Sequence, residues 1–263
     1  MCADYTPSRP DRIAEHFGAP QGELFDESFD DLSRLPAEAF PGSQAPILRA
    51  VRVIEHGRAT MRIECVPACF GMVPHWADAK LARSTYNART ETVASKPSFR
   101  EAWRRGQFCI IPAEHIFEPR YDGGQAVRWR IELESGAPMG IAGIWETKPG
   151  AHGGPPLLSF SMLTINADEH ELMRHFHRPG DEKRMVVLLE PSQYGPWLRG
   201  ELAMTPDVYR PFPAELLTAH PAPMPPRAKP VPRTIKHNPE PKPARAPRAS
   251  GPASDNPDQG SLF

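Results

Sequence analysis

Several features that would declare a function at once are scarce or missing. Four cysteines in 263 residues are too few for a disulfide framework. The net charge of -1, from 31 Lys and Arg against 32 Asp and Glu, excludes a strongly basic nucleic-acid binder by bulk charge, though not a local basic patch. No GxxxxGK[ST] or GxGxxG stretch occurs, which argues against a phosphate-cradling nucleotide site. No apolar run reaches the roughly 18 residues of a membrane helix. The first twenty residues, MCADYTPSRPDRIAEHFGAP, are charged and lack the apolar centre of a secretory signal. A cytoplasmic protein with free thiols and no membrane partner is expected.

What the chain does have is proline. The 33 prolines make up about 12% of it, against about 5% in average proteins. They fall into two populations. About twelve lie beyond Ala219, in a segment too poor in apolar residues to offset the entropy of ordering. Residues 218–263 are therefore predicted to form an extended, mildly basic tail, and residues 1–217 a globular domain.

Within that domain short strands dominate. Alternating apolar residues place strands at Pro41–Glu55 and Ala59–Ile63, with further strands at Phe108–Pro112, Arg128–Leu133, Gly140–Trp145, Leu157–Ile165 and Met185–Leu189. A turn is expected at Ser135–Gly136. Helices are predicted at Arg12–Phe17, Ser98–Arg105, Asp168–Phe176 and, after a turn, within Pro191–Leu198. There is no βαβ rhythm. The expected class is α+β, with a curved, barrel-like and mainly antiparallel sheet.

Cys2 is the first chemical suspect. Removal of the initiator Met would leave an α-amine beside its thiol, groups with ordinary pKa values of about 7.7–8.0 and about 8.5. Both are partly deprotonated near neutrality. Such an aminothiol condenses with an aldehyde: the amine forms a Schiff base, and the thiol adds to close a thiazolidine. Position alone favours an incidental residue in a frayed terminus.

The surrounding motifs alter that balance. FGMVPHWAD (Phe70–Asp78), YNARTETVASKPSFREAW (Tyr86–Trp103), IIPAEHIFEP (Ile110–Pro119), GIAGIWET (Gly140–Thr147), LTINADEHELMRHFH (Leu163–His177) and KRMVVLL (Lys183–Leu189) follow in order. Together with Cys2 they resemble the SRAP family, named for SOS-response-associated peptidases, across nearly all of residues 1–200. The resemblance implies recognition of abasic sites in single-stranded DNA, a covalent thiazolidine crosslink through the N-terminal cysteine, and autocatalytic removal of the initiator Met. It implies no cofactor and no metal, and the expected state is a monomer at the replication fork or nucleoid.

Carried over residue by residue, the resemblance gives Glu118 a proton-transfer role. His177 falls to the family's histidine, with His175 as competitor, because HRPGDEKRM carries about four residues more than the family's H-x-R-M-P. Asn87 would position the Cys2 amine or backbone. Arg89, Arg100 and Arg184 are expected phosphate contacts, Thr164 lies near the abasic site, and Phe70 would stack on a neighbouring base. Trp76 reads as core, as do Cys65, Cys69 and Cys109, and His75 and His115 read as structural. Ala3 and Asp4 stand where the family commonly has Gly-Arg, which puts the DNA grip at that edge in doubt. The terminal Gln259-Gly260-Ser261-Leu262-Phe263 resembles the peptide by which bacterial proteins bind the DNA sliding clamp, with Gln259, Leu262 and Phe263 as its contacts. Two rivals from other classes remain: a thiol peptidase acting on other proteins, and a non-catalytic clamp-tethered single-strand binder.

Overall fold

The computed structural model describes residues 2–18, 36–55, 57–150 and 153–224. In chain order the strands are β1 (Asp4–Pro7), β2 (Gln44–Glu55), β3 (Arg58–Phe70), β4 (Asn87–Arg89), β5 (Phe108–Asp122), β6 (Gln125–Leu133), β7 (Met139–Lys148), β8 (Leu157–Asn166), β9 (Arg184–Val186), β10 (Leu188–Leu189) and β11 (Leu217–Pro221). The helices are short: α1 (Pro10–His16), α2 (Arg100–Arg104) and α3 (Tyr194–Leu198). The class is α+β and mostly sheet, as expected.

All the strands join one sheet, in which β5, β7, β8, β3 and β2 close into a ring. Every junction of the ring is antiparallel except β3 with β8, which is parallel. The sequence shows why these segments pair. β5 is rich in β-branched and aromatic residues and β8 in apolar ones, which suit a pleated, buried surface. Both are buried over most of their length. Ile47, Phe70, Ile110, Ile111, Ile144, Phe160 and Met162, all on these strands, belong to one apolar core. Trp197 of α3 is fully buried against it, and its indole donates to the Cys109 carbonyl at 2.9 Å, satisfying a polar atom that burial would otherwise leave orphaned.

Three departures from the sequence reading bear on the site. Asn-Ala-Arg, which reads as polar loop when taken alone, is strand β4, parallel to β8 with Arg89 beside Thr164. The helix expected at Asp168–Phe176 is only a turn of 3-10 helix at Met173–His175. Asp168 is drawn away from that segment, its carboxylate accepting from the Lys183 amide at 2.8 Å and from Asn166 Nδ2. The folded part also runs past the boundary expected at 217, because β11 pairs with β6. The clamp-peptide residues Gln259, Leu262 and Phe263 lie outside the described residues.

At the end of β3 a glycine is required by close approach. Gly71 has φ +108°, and a Cβ there would run into the backbone of Ala82. It lets the chain turn sharply after β3.

Candidate active site

Cys2 enters the fold through β1, which pairs antiparallel with β5 in a register that sets Asp4 opposite Phe117, the residue before Glu118. The register slips between Thr6 and Pro7, where proline has no amide proton to give to the ladder. Cys2 is only 1% exposed. Its carbonyl accepts a hydrogen bond from Asn87 Nδ2 at 2.8 Å, and its thiol donates to the Asp4 carbonyl at 3.4 Å. Burial pushes the thiol well above its ordinary pKa, and the negative charges of Glu118 and Asp4 push it further. The resting sulfur therefore holds its proton.

Asp4 explains how β1 is held. Its carboxylate accepts from Arg128 Nε at 2.9 Å and lies 2.8 Å from Nη2, while Arg128 also bonds Glu38 at 2.9 Å and lies over the Phe117 ring. Burial raises the Asp4 pKa even against the attraction of Arg128. The residue that departs from the Gly-Arg pattern is thus turned inward, clamping the strand that carries Cys2.

Glu118 and His177 form the buried pair of the site. Glu118 Oε2 lies 2.9 Å from His177 Nε2, with side chains 2% and 7% exposed. His177 reaches this position by an unusual backbone: φ is +62°, the one positive value at a non-glycine among the described residues. The left-handed region costs an ordinary residue about 1–2 kcal/mol. Here the geometry is tied down by the His177 amide, which donates to the Pro119 carbonyl at 2.7 Å, and by a bridge between Phe176 and Arg120. The Arg178–Asp181 turn that follows takes up the extra residues. His175, its competitor, sits exposed on the 3-10 turn. His177 Nδ1 has no hydrogen-bond partner among the described residues, and the same holds for Asn87 Oδ1.

β4 lays a second row beside this pair. Arg89 is half exposed and bonded to Glu182 at 2.7 Å. Arg184, 2% exposed, is not free to take the phosphate contact expected of it. Its guanidinium bonds Glu91 through both terminal nitrogens at 2.8 and 2.9 Å, Glu182 at 2.8 Å and the Thr164 carbonyl at 2.7 Å. Thr164 is buried and committed as well, its carbonyl also accepting from the Thr90 amide at 3.0 Å. Sequence reading missed Glu91 and Glu182, because no motif marks either one as the partner of an arginine.

Replacing Arg184 with Met should lower stability by about 2–3 kcal/mol, less than for a fully buried pair because both carboxylates are partly solvated. Hydrogen bonds from Arg184 hold the Glu91 and Glu182 carboxyls below their usual range. Depressed carboxyl pKa values stabilise the fold above the unfolded value of about 4.3 and lose that contribution as pH falls through the folded value. Thermal melting from pH 6 down to about pH 3 should show this acid decline in the parent chain and a flatter one in Arg184→Met; parallel declines would overturn the assignment.

Residues 1–224 match the SOS response associated peptidase (SRAP) family. The chain belongs to the SRAP family. It is 35% identical over 131 residues to Abasic site processing protein YoaM of Bacillus subtilis (strain 168), covering 49% of this chain and 54% of that protein. It is 24% identical over 168 residues to Abasic site processing protein HMCES of Gallus gallus, covering 54% of this chain and 50% of that one. These alignments span about half the length of the curated relatives. A crystal structure of a Bordetella bronchiseptica protein superposes with a TM-score of 0.69 at 35% identity, covering 85% of this chain and all of the other. A Bacteroides thetaiotaomicron structure at 22% identity, with a TM-score of 0.63 over 84% of this chain and 91% of the other, shares the fold.

The SRAP site opens into a groove of about 670 Å³ whose walls include Tyr86, Arg89, Tyr121, His177, Arg178 and Glu182. The aromatic at its edge is not the one expected. Phe70 is completely buried, stacked on Phe160 and edge-on to Tyr5 and Tyr86, so its ring is not available to a base. The apolar segment Phe70–Trp76 divides the opposite way from the sequence reading: Phe70 is core and Trp76 is 57% exposed. Arg100 is exposed at the start of α2. Cys65, Cys69 and Cys109 are buried free thiols, with burial raising the Cys65 pKa to about 12. Among the described residues no cluster of three or more His, Cys, Asp or Glu side chains is placed to hold a metal ion, and no helix is long and apolar enough to cross a membrane.

Proposed function

We propose that this SRAP protein processes abasic sites by capturing them covalently in single-stranded DNA through Cys2. The observation that carries the reading is the seating of Cys2 at the head of a sheet strand, with Asn87 on its carbonyl and the charge of Glu118 acting on its thiol. After removal of Met1, the Cys2 amine attacks the C1′ aldehyde of the ring-opened sugar. Glu118 takes up the protons that the amine loses and passes them to the carbinolamine oxygen, which leaves as water. The Cys2 thiol then adds to the imine carbon and its proton passes to the nitrogen, closing a thiazolidine. Aldehyde plus aminothiol thus gives product plus one water, with no change of oxidation state. A thiol that keeps its proton suits this order, because sulfur acts second and needs to lose its proton only as the ring closes.

The supporting groups have matching tasks. His177 partners Glu118, and its unpartnered Nδ1 has the capacity to bond a sugar hydroxyl or a phosphate oxygen. Asn87 Oδ1 is an acceptor for the new α-amine. Arg89 offers a planar fork to a phosphate, and Arg100 a further basic contact. The same buried acid, Glu118, is assigned the cleavage of the Met1–Cys2 bond.

Intact-mass measurement tests the whole reading. Purified protein should weigh less than its translated sequence by one Met residue. Incubated with an oligonucleotide bearing an aldehydic abasic site, it should gain the mass of that oligonucleotide less one water. Retention of Met1 together with the absence of an adduct would sink the proposal and favour a non-covalent binder.

A further inference from the structure

We infer that Tyr86 is the stacking platform of the site, the ring on which the base next to the abasic residue rests. The inference rests on the single-strand reading above and goes beyond it by naming a contact that no motif assigns.

Three observations place Tyr86 there. It lines the groove together with Arg89, Tyr121 and His177. It is half-buried, its ring packed against fully buried Phe70 at a centroid distance of 5.8 Å and an interplanar angle of 71°. Phe70 is in turn stacked on Phe160 at 5.3 Å. The Tyr86 ring thus has a rigid aromatic support on the core side and opens toward the groove on the other.

The backbone is equally fixed. The Tyr86 carbonyl accepts from the Met162 amide of β8 at 2.9 Å, and the next residue, Asn87, holds the Cys2 carbonyl. A ring anchored one residue from the group that positions the nucleophile sets the distance between a stacked base and the reacting carbon. Burial raises the pKa of the Tyr86 phenol and the nearby charge of Glu118 raises it further, as expected of a ring bordering the reacting groups.

An abasic residue lacks its own base, so its neighbour has lost a stacking partner. An aromatic ring offered at that gap replaces it. Base–aromatic stacking is worth about 1–3 kcal/mol per base, which corresponds to roughly 5- to 150-fold in affinity. Tyrosine supplies this in a sequence-tolerant way, because every base has a π face.

The test uses the full chain and single-stranded oligonucleotides. One set carries tetrahydrofuran, an abasic analogue with no aldehyde, with 2-aminopurine placed on its 5′ or its 3′ side. Binding to the parent chain should quench 2-aminopurine on one side. Tyr86→Leu should abolish that quenching and weaken binding about tenfold, whereas Tyr86→Phe should restore most of both. With aldehydic abasic DNA, the loss in Tyr86→Leu should fall mainly on the half-saturating DNA concentration. Melting temperatures of both variants separate these effects from misfolding. Unchanged quenching and affinity in a folded Tyr86→Leu would overturn the inference, as would an equal loss in Tyr86→Phe. A parent chain that binds and quenches but forms no adduct would overturn the covalent reading and leave Tyr86 as the platform of a non-covalent site.

Discussion

A Cys2→Ala chain is expected to form no adduct with abasic single-stranded DNA that survives a denaturing gel. The variant separates the two nucleophiles of the aminothiol. Once Met1 is removed, the substituted chain still presents an α-amine at the same place ahead of β1, so it can form the Schiff base. It lacks the sulfur that closes the ring, and an imine hydrolyses on denaturation. Borohydride reduction before denaturation should therefore recover a band in Cys2→Ala, while omission of the reductant should leave none. The parent chain should give the band either way. The substitution removes one sulfur from a buried position and should cost about 1 kcal/mol of stability, so the comparison is made on folded protein. A stable unreduced band in Cys2→Ala would exclude the thiazolidine and point to a different nucleophile.

Glu118→Gln carries the second large effect. Glutamine keeps the size of the side chain and can still lie beside His177, but it cannot exchange a proton. A positioned acid or base contributes about 10²- to 10⁴-fold, so in chains from which Met1 has been removed the rate of crosslinking at saturating DNA should fall by at least about a hundredfold. Affinity for tetrahydrofuran DNA should change little, since Glu118 is 2% exposed and is assigned to proton transfer rather than to gripping the backbone. Single-turnover rates with matched anisotropy titrations make the distinction. A variant that loses affinity and rate in proportion would make Glu118 a binding residue instead.

How far these roles are legible in the sequence differs from residue to residue. The strands of the ring announce themselves by alternation, as in Ile47–Ile54 and Leu157–Ile165. The chemistry-bearing residues Cys2, Asn87, Glu118 and His177 stand in ordered motifs. What escapes the sequence is long-range pairing and the direction a side chain takes. FGMVP is apolar whether its aromatic faces a base or the core, and only closure of the β3–β8 junction buries Phe70. Arg184 reads as a basic contact until the fold brings Glu91 and Glu182 to its guanidinium. The choice of His177 over His175 at Glu118 depends on a left-handed backbone at one residue, which no propensity scale for histidine would suggest. Asp168–Phe176 has helical composition, yet Asp168 bonds Lys183 across the loop and the helix does not form.

The Arg89–Glu182 pair described above changes how the groove would meet a nucleic acid. Proteins that grip DNA by charge gain affinity largely because lysines and arginines displace condensed cations from the phosphates, and their binding falls steeply with salt. At Arg89 an arriving phosphate meets a guanidinium already paired through Nη1 with a carboxylate of the same chain, so part of the electrostatic gain is cancelled before it is made. On this reading the groove holds intact DNA weakly, releases it readily as it scans, and leaves retention to the bond formed at Cys2.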